Sequence, residues 1–329
     1  MVLLEITILF AFFFSFWNGL SDAANSISTI IGTRVLSPVK AVALAAVGNF
    51  LGILFGVAVA TTIGQGIVVG NVIGAKLVLA VLAGGMIWEI ITWWGGLPVS
   101  ESHVMVGGLV GAGVAAGGWG VIKLDSVFGK VIVPMFTSPF IAGIFAFIFV
   151  GIILRLIKDR PASKVNPIFN KLQIVSALFL SVTHGANDAQ KTAGLITALL
   201  LTEGVISKFD VPLWVIVGSY IAISLGTFLG GWRIIKTMSM KVTQLRPYQG
   251  FAAESGSAVV LATTAHFGIP VSTTQAITGA IMGVGATRRM SAVNWLVARR
   301  IFLAWILTIP ASAIFCFGMY TLLSAAGLK

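Results

Sequence analysis

Long apolar stretches separated by short polar connections set the pattern of the chain. They occupy roughly 2–31, 39–63, 72–94, 104–122, 131–157, 172–201, 211–235, 250–266, 276–287 and 295–326. A bilayer-spanning helix needs about 20 mostly apolar residues, so most of these runs predict membrane helices and the fold class is all-α and polytopic. Several runs are interrupted by polar or helix-breaking residues. The first contains Asn18-Gly19-Leu20-Ser21-Asp22 and the sixth His184-Gly185-Ala186-Asn187-Asp188, which predicts broken helices over 2–31 and 172–201. Two further interruptions, Gly96-Leu97-Pro98-Val99-Ser100 and Gly268-Ile269-Pro270-Val271-Ser272, predict re-entrant hairpins over 72–122 and 250–287. Irregular backbone at lipid depth survives only where protein or a water-filled cavity surrounds it.

The same order of interruptions occurs twice. Gly19 to Ala23 aligns with Gly185 to Ala189, the segment Gly96 to His103 with Gly268 to Gln275, and Gly107, Gly111 and Gly113 with Gly279, Gly283 and Gly285. The expected organisation is a first repeat over 1–157, a basic cytoplasmic linker over 158–171 and a second repeat over 172–329. Four stretches, 34–40, 155–171, 233–246 and 288–300, hold 15 of the 21 basic residues and are expected in the cytoplasm. With the hairpins returning to the side they left, each half makes an odd number of crossings, so the repeats are inverted. Paired interruptions in inverted repeats are the layout of secondary transporters, with a channel as the second reading.

Composition narrows the class. Of 329 residues 57% are hydrophobic and 9% charged, too few charges for a soluble enzyme of this size. The net charge of +11 would suggest nucleic acid in a soluble chain; here it follows the topology, and no nucleic-acid partner is expected. No Lys or Arg precedes Arg34, so the first helix is expected to be retained with its start outside, and both termini outside the plasma (inner) membrane. Trp93, Trp94, Trp119 and Trp214 are candidate interfacial anchors, and the single Cys316 has no partner for a disulfide. No Gly-rich loop ending in Lys-Ser or Lys-Thr occurs, so nothing supports transport driven by ATP.

Asp22 and Asp188 hold matching repeat positions inside apolar helices, where an ionised carboxylate needs a partner or a bound cation. Two such carboxylates brought together, joined by Asn25 and Asn187, offer hard oxygen ligands for Na⁺, with Glu101 as a further cation-facing group. A lone Asp in such a place also serves as a helix cap. Ser100, Ser102, Ser272, Thr273 and Thr274 place hydroxyls beside helix N-termini, which attract a tetrahedral oxyanion such as phosphate or sulfate. Single hydroxyls at such positions also satisfy their own backbone. His103, Gln190 and Gln275 are candidate donors to the anion. Lys191 has two readings, binding the anion or holding Asp188. His184 and His266 read equally as packing residues, and the scattered histidines do not suggest zinc. Glu89 and Glu254 lie at membrane depth as cation gates or paired carboxylates, and Glu203 lies on the outer side. His184 with Ser181 is too thin a basis for an enzyme.

The segment Gly185-Ala186-Asn187-Asp188-Ala189-Gln190-Lys191, its counterpart from Asn18 to Asn25 and the two Gly-x-Pro-Val-Ser tips resemble the duplicated signatures of the inorganic phosphate transporter (PiT) family. The resemblance covers nearly the whole chain. It implies symport of phosphate with a cation, Na⁺ in many members and H⁺ or a metal–phosphate complex in others, without a further cofactor. The first copy carries Ser21 where Asn187 stands and Asn25 where Lys191 stands, so the half-sites are expected to differ chemically. The Gly-rich faces permit a homodimer.

Overall fold

The computed structural model describes residues 2–69 and 72–328, and these are helical with no strand among them. Helix α1 spans Val2–Gly32, α2 Pro38–Leu51, α3 Ala58–Gly66, α4 Ala75–Trp94 and α5 Glu101–Gly117. A single turn, α6 (Leu124–Ser126), passes through a π-helical stretch into α7 (Val133–Ile157). The second half comprises α8 (Ala162–Thr202), α9 (Leu213–Leu229), α10 (Trp232–Lys236), α11 (Pro247–His266), α12 (Thr273–Ala286) and α13 (Trp295–Ala325). Six helical segments among the described residues are long and apolar enough to cross a bilayer, and α9 with α10 makes a seventh if that pair, bent by 59°, is one span. The chain is a multi-pass membrane protein.

Both hairpins form as expected, α4 against α5 and α11 against α12, with tips at 95–100 and 267–272. Gly96 and Gly268 turn these tips with φ of 63° and 66°, a conformation that side chains with a Cβ avoid. The halves pack reciprocally. Helix α1 lies on α9 while α8 lies on α2, and α5 packs on α13 while α12 packs on α7.

The breaks expected at 18–22 and 184–188 do not occur, because α1 and α8 run through both segments as continuous helix. Neither segment contains proline, and its glycine serves packing instead. A Cβ on Gly19 would lie 2.0 Å from the Ile223 carbonyl oxygen of α9, and one on Gly185 would lie 2.2 Å from the Asn49 carbonyl oxygen of α2. Small residues let membrane helices meet backbone to backbone, and the polar residues at 18–25 and 184–191 are thereby turned into protein rather than lipid. The α1–α9 crossing is tight from both sides, since a Cβ on Gly226 would sit 1.9 Å from the Phe16 carbonyl oxygen. Gly226→Ala is therefore expected to cost roughly 1–3 kcal/mol, read as a lower thermal unfolding midpoint of the purified protein; an unchanged midpoint would show that the crossing relaxes freely.

Two further boundaries differ from the sequence reading. Only residues 158–161 connect the halves, because α8 begins at Ala162 and absorbs the rest of the stretch 158–171 that read as a linker. Pro161 precedes the helix with extended backbone, and Pro167, the sixth residue of α8, lies inside the helix without an N–H for the Ser163 carbonyl. The run 39–63 is divided by a turn of 3₁₀ helix and Gly56, and the run 211–235 by Gly230 and Gly231, which isolates the short helices α3 and α10. Each short helix meets a hairpin tip. Thr62 Oγ1 on α3 donates to the Gly268 carbonyl at 2.6 Å, and Arg233 Nη1 on α10 donates to the Trp94 carbonyl at 3.2 Å while its guanidinium covers the Trp93 ring.

Candidate functional site

The middle turns of α1 and α8 and the N-termini of α5 and α12 converge on one buried polar cluster. Asp22 and Asp188 meet there. One carboxylate oxygen from each, together with a ring nitrogen of His184, lie within 4.8 Å of one another, and all three side chains are buried.

The hairpin tips hold each other through equivalent residues. Ser102 Oγ donates to the Val271 carbonyl at 2.7 Å, and Thr274 Oγ1 reaches the Val99 carbonyl at 3.0 Å. In the repeat alignment Ser102 matches Thr274 and Val99 matches Val271, so the two bonds are counterparts. Ser100 and Ser272 are N-caps, accepting the backbone N–H of His103 and Gln275 at 3.2 and 3.1 Å. The caps do not exhaust the tips. Each capping hydroxyl retains its own proton, and the N–H groups of Glu101, Ser102, Thr273 and Thr274 have no acceptor among the described residues. Two helix N-termini thus bring unpaired donors and their positive dipole ends together. His103 Nδ1 lies 3.5 Å from Gln275 Nε2, leaving His103 Nε2 and Gln275 Oε1 buried without partners.

The second tip also touches both acids. Thr273 Oγ1 donates to Asp188 Oδ2 at 3.0 Å, while the single proton of Thr274 is divided between Val99 and Asp22 Oδ2, the latter at 3.3 Å. Asn25 Nδ2 donates to both threonine hydroxyls, at 3.2 and 2.9 Å, and its Oδ1 is free. Asn187 spends its amide N–H groups on the Thr183 and Leu261 carbonyls, and its Oδ1 is likewise buried and unpartnered. Both asparagines therefore keep an oxygen acceptor, the atom a cation would need.

Lys191 holds Asp188 and Glu101 together. Its Nζ pairs with Asp188 Oδ1 and lies 3.0 Å from Glu101 Oε2, all three side chains being buried. The expected contact with Asp188 is present, and Glu101, expected beside a cation, faces the ammonium instead while its Oε1 is unpartnered. Glu89 on α4 is buried too, with Glu101, Asp22, Lys191 and Asp188 as its charged neighbours. Four carboxylates share one lysine.

Gln190 departs from its expected role as an anion donor. Its Nε2 donates to the Ala186 carbonyl and its Oε1 accepts two N–H groups from the first turn of α3, those of Val59 and Ala60. A side chain that caps a neighbouring helix with one end and closes on its own with the other has little left for a ligand.

His184 is the residue whose importance exceeds its sequence signal. A hydrogen-bond chain fixes its ring: Thr227 Oγ1 donates to the Gly19 carbonyl, Asn49 Nδ2 donates to Thr227 Oγ1, and Asn49 Oδ1 faces His184 Nδ1 at 3.0 Å. The Gly19 carbonyl can only accept, which sets the direction of every bond and puts the imidazole proton on Nδ1. In the neutral ring Nε2 then presents a lone pair 3.1 Å from Asp188 Oδ2. Lone pairs facing each other require a proton or a metal cation between them. The spacing of four residues from Asp188 was the available sequence signal; the partner Asn49 lies in a different run.

Other acids have structural roles. Glu254 receives Thr29 Oγ1 at 2.6 Å, Gln173 Nε2 at 3.0 Å and Ser176 Oγ, so α1, α8 and α11 are tied together around it. Glu203 accepts the first N–H of α4, at 3.2 Å from Ala75. Cys316 is buried with its Sγ against the Val81 carbonyl.

A model of a family described as the phosphate transporter family matches residues 18–316. The chain belongs to that family. This transporter is 48% identical over 306 residues to a protein of Rhizobium meliloti (strain 1021) named "Probable low-affinity inorganic phosphate transporter", covering 92% of the chain and 91% of that relative. It is 40% identical over 318 residues to a protein of the same name from Bacillus subtilis (strain 168), covering 95% of both. A solved structure described as "The sodium-dependent phosphate transporter" superimposes with a TM-score of 0.90 at 25% identity, covering 99% of this chain and all of that one. The transporter is not an enzyme, and the family resemblance read from the sequence holds along its length.

Proposed function

We propose that the protein is a sodium-coupled symporter of inorganic phosphate that works by alternating access. The observation that carries this reading is the excess of acid in a site that also offers two helix N-termini: Asp22, Asp188, Glu89 and Glu101 against Lys191 alone. Such a cluster repels an oxyanion until cations enter. A cation between Asp22, Asp188 and the His184 Nε2 lone pair, with Asn25 Oδ1 and Asn187 Oδ1 close to the same helical turns, removes that repulsion and lets the tip donors hold phosphate. Binding of either ligand then favours binding of the other, which is the reciprocal coupling a symporter needs. Ser100, Ser272 and the four free N–H groups, with Ser102, His103, Gln275 and Lys191 around them, form the proposed anion side. Asp22, Asp188, Asn25 and Asn187, joined by His184, form the cation side.

The reciprocal packing of the halves supports inverted repeats, and the two clasps on the hairpin tips suit gates on opposite sides. Thr62–Gly268 would close the outer path and Arg233–Trp94 the inner one, in keeping with the basic stretch 233–246 in the cytoplasm. On this reading both termini lie outside the plasma membrane.

Uptake of labelled phosphate into proteoliposomes tests the reading. An inward Na⁺ gradient is expected to raise initial uptake severalfold over choline, with saturation in phosphate and little competition from equimolar sulfate. Uptake that ignores Na⁺ and follows an imposed proton gradient would assign the role at His184 and the acids to H⁺. Flux without saturation would make the protein a channel.

A further inference from the structure

A groove of about 740 Å³ opens on the flank of the molecule between α7, α12 and α13. Its walls are apolar, with Phe140, Ile144, Phe147 and Phe302 among them, and these four side chains are 42–63% exposed although each lines the groove. The floor lacks side chains because α7 and α12 touch there backbone to backbone: a Cβ on Gly279 would lie 2.2 Å from the Pro139 carbonyl oxygen and one on Gly283 2.2 Å from the Gly143 carbonyl oxygen. Polar lining is confined to the two ends. Gln275, whose Oε1 is buried and unpartnered, lies at the site end of α12, and Arg299 lies in the first turns of α13.

Arg299 has no protein partner. No acidic residue follows Glu254 in the chain, and Arg299 makes no ion pair or hydrogen bond among the described residues. Arg288, Arg289 and Arg300 stand close to it in sequence and are exposed, so the rim of the groove carries unbalanced positive charge. An apolar trough at lipid depth with cations at one end is complementary to one class of molecule, an amphiphile with an anionic head.

We infer that this groove binds one anionic phospholipid, its phosphate head on Arg299 and an acyl chain along α7 and α12. The proposal explains why large apolar side chains surround an open trough, and why the only basic group in its lining lacks a carboxylate. It also gives the lipid a route to function, because α12 carries Thr273, Thr274 and Gln275 at the far end of the same helix. An acyl chain filling the trough would support α12 where its glycines leave no side chains to pack.

The test is native mass spectrometry of the purified full chain with added phosphatidylglycerol or phosphatidylcholine at constant inorganic phosphate. The wild-type protein is expected to retain one phosphatidylglycerol per chain about fivefold more tightly than phosphatidylcholine, the advantage of a single basic side chain near an anionic head. Arg299→Gln should erase that preference, and Ala286→Phe, which puts a ring into the trough, should lower retention of both lipids while the monodisperse elution profile is kept. Equal retention of the two lipids by the wild-type chain, or an undiminished preference in Arg299→Gln, would overturn the proposal even if Ala286→Phe failed to fold. So would a stable dimer in the same spectra in which a cysteine placed at Phe147 crosslinks to its copy, since the groove would then be covered by protein.

Discussion

Asp22→Asn is expected to reduce Na⁺-driven phosphate uptake by at least about thirtyfold, and Asp188→Asn to do the same, the loss that follows removal of one charged partner from a buried contact. The two substitutions are nearly isosteric, so folding should survive both. Their routes to inactivity differ. Asp22 accepts only the weak, divided proton of Thr274, so the amide replaces a carboxylate whose charge no lysine or histidine neutralises by direct contact. Its expected defect is in the ion: the dependence on Na⁺ concentration should flatten, and phosphate binding without Na⁺ should rise because the repulsion is smaller. Asp188 is held by Lys191 and Thr273, and its Oδ2 faces the His184 Nε2 lone pair. Its replacement also frees Lys191 to turn wholly toward Glu101, so both ion and phosphate dependence should change. Wild-type uptake in both variants, with protein levels matched, would remove the carboxylate pair from the mechanism.

The same contacts explain why the half-sites are unequal. Where α8 carries Lys191, α1 carries Asn25, which donates to Thr273 and Thr274 rather than to an acid. One copy therefore has an aspartate paired with a lysine and the other an aspartate without a cationic partner, the one proposed to take the cation. On the proposed reading the two copies serve as a charged anchor and an ion site, with the tips shared between them.

Much of this was legible in the chain because paired signals constrain each other. The Gly-x-Pro-Val-Ser tips turn where glycine and proline dictate, Ser100 and Ser272 cap the helices that follow, and Asp22 meets Asp188 as two polar positions in apolar runs must. What misled was local. Asn, Ser, Asp and Gly inside an apolar run read as a helix break, yet Gly19 and Gly185 are contact points between halves and the flanking polar groups face neighbouring helices, as where Asn187 Nδ2 donates to the Leu261 carbonyl of α11. Gln190 looked like a ligand because it adjoins Asp188, and only the position of α3 shows where its amide goes. The tautomer of His184 depends on Asn49 and Thr227, more than a hundred and about forty residues away, a relation that no spacing along one helix reveals.

Lys191→Gln provides the second large effect, and it separates stability from transport. Removing a lysine that pairs with two buried carboxylates leaves Asp188 and Glu101 uncompensated, and breaking a buried pair in this way costs about 3–5 kcal/mol. The expected result is a markedly lower thermal unfolding midpoint together with loss of uptake. Uptake alone would not tell a phosphate ligand from a structural cation, so the double variant Lys191→Gln with Glu101→Gln decides. Removing one of the orphaned carboxylates should recover a substantial part of the lost midpoint, because only Asp188 then remains uncompensated and it keeps the hydrogen bond from Thr273. If Lys191 serves only to balance charge, uptake should return with stability. If its ammonium also meets the anion, the double variant should be stable and still fail to bind phosphate. The second outcome follows from the geometry: one Nζ has three protons, two are directed at Asp188 and Glu101, and the third is available at the head of a cluster where every other charged group repels an oxyanion.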